Sequence, residues 1–212
     1  MSATAIGKII SKGLQDVLTV KLNAGCTAYE TDVAKWTGET ALVFTPSRQA
    51  TELASGNDPA WWVKEGLCVG DVELTLYDIG IADMERLLGV KYTATDGLVV
   101  GDFDDGVVFV GLSCDRLVET PSASSRNKII LYKVRFELPA IDAKTISKDD
   151  SAIGELKLKG YAYPVFFTKT SGDTGARTYC IVNSSLNATK YAANASTIVF
   201  PTEITPAPSG NL

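Results

Sequence analysis

The alternation of apolar and polar positions is clearest over residues 69–98, VGDVELTLYDIGIADMERLLGVKYTATDGL. Val72, Leu74 and Leu76 alternate with Asp71, Glu73, Thr75 and Tyr77, the period of a strand with one buried face. Ile81, Met84, Leu87 and Leu88 then recur as the apolar stripe of a helix. Gly89 follows directly, where a helix end wants a residue tolerant of the left-handed conformation. Asp96-Gly97 signals a tight turn into another strand. The stretch therefore predicts a strand, a short helix packed on its sheet, and a hairpin.

The same reading extends along the chain. Residues 14–22 alternate Leu18, Val20 and Leu22 against Thr19 and Lys21 and predict a first strand. Residues 23–38 have no period and read as a loop. Residues 39–46, ETALVFTP, predict a second strand stopped at Pro46. Residues 47–66 read as a long loop with one helical turn near 48–54, the kind of segment that carries function. Adjacent Trp61 and Trp62 there need a surface to bury against, supplied by the core or by a neighbouring subunit. Residues 107–112 predict a buried strand and 119–127 a polar turn. Residues 128–141 predict the longest strand, with Ile130, Tyr132, Val134, Phe136 and Leu138 on one side and Lys133, Arg135 and Glu137 on the other. After a polar crossover at 142–154, residues 155–165 alternate again and suit an antiparallel neighbour of that strand. Residues 166–182 predict two strands about a Gly-rich turn, and 196–200 a last strand.

About nine strands and one helix make an antiparallel β-sandwich or barrel with a flanking helix. Residues 1–200 read as one β-domain containing the long loop at about 31–66, and 201–212 as a flexible, Pro-rich C-terminal tail. With 212 residues, 45% of them hydrophobic, the chain can bury one sizeable core. No apolar run approaches the roughly 20 residues of a membrane span. The first residues lack the pattern of a signal peptide, so folding in a cytoplasm is expected.

Composition narrows the chemistry. The formal charge is −5 and no Lys/Arg cluster stands out, which argues against a nucleic-acid-binding face. There is no histidine, so neither Ser-His-Asp nor Cys-His machinery is available. Cys26, Cys68, Cys114 and Cys180 are too dispersed for a zinc or redox motif and read as reduced thiols. DFDDG at 102–106 resembles a fragment of a calcium loop but lacks the rest of that pattern and reads as a solvated turn. Asn187 and Asn194 begin glycosylation-type triplets, read as chance. No phosphate-binding glycine loop is present. The expectation is a protein that is not an enzyme, with no catalytic residue, no metal and no cofactor.

The order of elements carries a resemblance. A strand ending near Leu74-Thr75-Leu76, a short helix ending in Leu87-Leu88-Gly89, a hairpin with Asp96-Gly97, the Tyr132–Leu138 strand, a Thr/Ser-rich connector and the strand Glu155-Leu-Lys-Leu-Lys-Gly-Tyr-Ala-Tyr-Pro164 together resemble the phi13-type major tail proteins of long non-contractile-tailed phages. The resemblance covers roughly residues 69–182. It implies a structural virion protein of a siphovirus tail, assembled in the host cytoplasm. Hexameric rings would stack into a tail tube, a conduit for genome ejection. Family partners would be a tape measure protein and a tail terminator, and DNA would pass without specific binding. An acidic lumen would repel phosphate. On this basis Asp71, Glu73 and Glu137 are candidate lumen-facing residues, and Trp61, Trp62, Asp96 and Gly97 candidate inter-subunit contacts. The alternatives are a tube protein of a contractile tail or secretion system, and a β-sandwich carbohydrate-binding or decoration module using Trp61, Trp62, Tyr161 and Tyr163 as an aromatic groove.

Overall fold

A computed structural model describes residues 10–36, 39–55, 58–76, 81–93, 98–100, 106–120, 123–139 and 156–203. The elements run β1 (Ile10–Leu22), β2 (Tyr29–Trp36), β3 (Glu39–Ser55), β4 (Asp58–Leu76), α1 (Ile81–Leu88), β5 (Lys91–Thr93), β6 (Leu98–Val100), β7 (Val110–Thr120), β8 (Ala123–Phe136), β9 (Leu156–Ala162), β10 (Val165–Thr168), β11 (Thr174–Arg177), β12 (Tyr179–Asn183) and α2 (Ala188–Ala193). The chain is mainly β, as its alternating pattern predicts. One antiparallel sheet takes the order β2-β1-β7-β8-β9-β4-β3, with β12 also on β8; β5-β6 and β10-β11 are separate hairpins.

The sheet buries both faces, unequally. On the first face lies the main core, with Val17 and Trp36 from β1 and β2, Val72, Leu74 and Leu76 from β4, Val110, Leu112 and Cys114 from β7, and Leu158 from β9. Helix α1 closes it through Leu87 and Leu88. Gly89 ends that helix at φ 77°, donating its amide to Glu85 O at 3.1 Å, as the Leu88-Gly89 signal predicts. The second face carries a smaller core of Leu22, Ile130, Tyr132, Val165, Val182 and Ile198, covered by Tyr191 of α2 and by Phe200.

Strand β8 lines both cores by ordinary alternation, with Leu131 in the first between Ile130 and Tyr132 in the second, and a bulge then reverses that alternation. Val110 pairs with Val134, but Leu112 pairs with Leu131, so β8 carries one residue more than β7 between these pairs. The extra residue reverses the alternation. Ile130 and Tyr132 face the second core, while Val134 and Phe136 face the first. The expectation of one apolar side from Ile130 to Leu138 is therefore corrected, and Leu138 is exposed. The bulge also lets one edge of β8 take two partners, β12 at residues 127–131 and β9 at 134–136.

The largest correction concerns residues 31–66. They form no long loop: β2 runs to Trp36, and β3 and β4 pair continuously from Ala41↔Thr75 to Ser55↔Asp58 apart from local irregularities. Nor do residues 48–54 form a helical turn. Pro46 does not stop its strand; it sits in register opposite Gly70. Strand β3 is the outer strand of the sheet, where a residue without an N–H costs no ladder bond on the open side. Further corrections are smaller. Residues 123–127 belong to β8 rather than to a turn, 196–200 are not a strand, and α2 is an additional helix. The 142–154 crossover and the three aspartates of DFDDG lie outside the described residues.

Candidate functional site

The alternation of β4 decides where its acids go. With Val72, Leu74 and Leu76 in the main core, Asp71 and Glu73 point to the opposite face. Register then builds the surface around them. Asp71 lies between Thr45 of β3 and Tyr161 of β9; Glu73 lies between Val43 and Lys159. Glu137, just past β8, joins them by donating its amide to Lys159 O at 2.8 Å. Val43, Thr45, Asp71, Glu73, Glu137 and Tyr161 border one open groove of about 400 Å³. The three predicted acids, far apart in sequence, are thus brought together, on the face away from α1.

The groove is not uniformly acidic. Lys157 and Lys159 alternate with buried Leu158 on β9, and Arg135 alternates with buried Val134 and Phe136 on β8, so all three bases share this face. Lys157 Nζ stands 4.0 Å from Glu73 Oε1, with both side chains substantially exposed. Such a pair is worth little in stability. The arrangement is a solvated surface of interleaved charges, with no buried acid-base pair positioned for catalysis in the groove.

The remaining candidates are less informative. Trp61 and Trp62 fall on β4, with Trp62 opposite Leu53, but their side chains lie outside the described residues. Asp96 and Gly97 also lie outside them; the flanking strands pair as a hairpin, Thr93 opposite Leu98. Tyr161 is exposed, whereas Tyr163 packs edge-on against Phe109 at 6.0 Å between ring centroids.

One further polar cluster lies outside the residues that the sequence pattern singles out. Lys128 and Asp115 are directly opposite on β8 and β7, on the face carrying the second core. Their side chains are 1% and 4% exposed, and Lys128 Nζ is 2.8 Å from Asp115 Oδ1. The Tyr191 hydroxyl of α2 donates to Asp115 Oδ2 at 2.5 Å. Burial, and then this carboxyl, push the Tyr191 hydroxyl up to about 12. The signal was present in the sequence, since Lys128 continues the Ile130-Tyr132 series onto the buried face.

All four cysteines are free thiols. Among the described residues no group of three or more His, Cys, Asp or Glu is placed to hold a metal ion, and no helix is long and apolar enough to cross a membrane. Neither a comparison with protein-family models nor one with curated proteins gives a match.

Proposed function

We propose that this chain is a structural subunit of a phage tail tube, with the polar face of β3, β4 and β9 turned towards the bore. The observation that carries the reading is the pairing of that open polar face with sheet edges left unfilled. The outer strands β2 and β3 each have one partner among the described residues. Beyond Val69, β4 pairs only with β3, leaving a two-stranded ribbon from Ser47 to Ser55 of about 30 Å at roughly 3.3 Å per residue. Exposed edges and isolated ribbons are liabilities in a monomer. Pairing around a ring would satisfy the edges, and stacking of rings is a head-to-tail contact that grows into a filament.

The interleaved charges suit a conduit in a modified way. Acids keep phosphate from settling, while neighbouring lysines temper the repulsion of a long polyanion. The resemblance over residues 69–182 supports a DNA passage rather than a solute channel. The test is negative-stain microscopy of the purified full chain at increasing protein concentration. Hollow tubes or six-fold rings support the reading. A monomer at every concentration, retaining a glycan on an oligosaccharide column, favours the binding module instead.

A further inference from the structure

The Lys128–Asp115 pair has a geometry that an ordinary ion pair does not need. The two side chains face each other across adjacent strands and are almost fully withdrawn from water. Although Nζ is 2.8 Å from Oδ1, that oxygen accepts no hydrogen bond, so the amine stands off the hydrogen-bonding direction. The other carboxyl oxygen is fixed by the Tyr191 hydroxyl. The Lys128 ammonium also lies 5.3 Å from the centre of the Tyr191 ring, which closes the site from the α2 side. Arg126 and Asp16 pair at 3.6 Å on the more exposed rim, where Arg126 also acts on the Tyr191 hydroxyl.

We propose that Lys128 and Asp115 are a modification site, joined by an intramolecular amide that staples β7 to β8. The Lys128 amine, after passing a proton to the carboxyl, attacks Asp115 Cγ. One C–N bond forms, the C–Oδ1 bond breaks, and Oδ1 leaves as water carrying two protons from the original ammonium. The step is a condensation that needs no oxidant, reductant or cofactor. Tyr191 donates to Oδ2, where negative charge grows as the carbon becomes tetrahedral. Fixed facing strands replace a bimolecular encounter with an intramolecular one. The driving force is local: two charges held out of water are costly, and the amide that replaces them carries none.

Intact-mass spectrometry of the purified full chain tests this directly. The expected mass is below that of the sequence by one water, and trypsin should release a branched peptide joining residues 92–116 to residues 127–133. Lys128→Met and Asp115→Ala should each restore the full mass expected for the variant. Tyr191→Phe should lower the cross-linked fraction without abolishing it. An unmodified mass for the wild-type chain, with residues 127–128 and 129–133 recovered as separate peptides, overturns the proposal whether or not any variant folds.

Discussion

Tyr132 sits where β8 changes cores, and its hydroxyl has left water. Burial, reinforced by the Cys180 thiol and opposed by Arg177, lifts it from the ordinary value of 10.0 to about 12. A hydroxyl raised on folding lends stability that is intact below the unfolded value and is lost as pH climbs through the folded one. The window is therefore from about pH 10 to about pH 12. Tyr132→Phe removes this ionisation, so its urea midpoint should fall less across that window than the wild type's. Parallel declines would show that Tyr132 is not the titrating group. Individual residues were unevenly legible in the sequence. The common face of Asp71, Glu73 and Glu137 was legible because local alternation with buried neighbours sets it. Lys128 and Asp115 were less legible, because a charge on a strand ordinarily means a wet face, even though Lys128 falls in the Ile130-Tyr132 series.

At the scale of elements, local pattern sufficed wherever one rule governed. Residues 72–76 alternate without interruption, and α1 has both a stripe and a glycine stop. The β3–β4 ribbon was hidden because Pro46, Gly56-Asn57 and Pro59 resemble breakers, yet an outer strand tolerates proline. The bulge in β8 was hidden because each side of it is apolar, so alternation alone shows no change of face. Helix α2 is too short to display a period, but its Asn187 side chain accepts the Lys190 amide at 3.1 Å. Asn187→Ala should cost about 1 kcal/mol of local stability, read as faster hydrogen exchange of the α2 amides; unchanged exchange would deny the cap a role. Asn194 has structural work as well, donating to Lys190 O at 2.9 Å and accepting the Val199 amide at 2.9 Å. Both triplets thus have an explanation in the fold.

The β8–β9 junction includes one very close approach. A Cβ at Gly160 would stand 2.2 Å from Arg135 O and 2.9 Å from Phe136 Cα, both backbone atoms that cannot step aside alone. Gly160→Ala should therefore destabilise the chain by about 1–3 kcal/mol in urea denaturation. Gly106→Ala, with nothing within 4 Å of the new methyl, is the control. Equal midpoints for the two variants would contradict the register of β8 against β9.

The whole molecule combines a helix-covered core, an opposite face of interleaved charges, and outer strands with one partner each among the described residues. If that face lines a bore, reversing its acids changes what the bore does without changing assembly. Asp71→Lys with Glu73→Lys should still assemble but retain DNA, with retention falling steeply as salt rises. Loss of assembly instead would place these residues in a subunit contact. The most direct measurement is a cryo-electron microscopy map of the particles the full chain forms at high concentration. The expected result is stacked six-fold rings around an open bore, with Asp71, Glu73 and Glu137 facing it and β3 pairing with a neighbouring subunit. A monomer, or an assembly in which the β3-β4-β9 face is covered by another subunit, would contradict it.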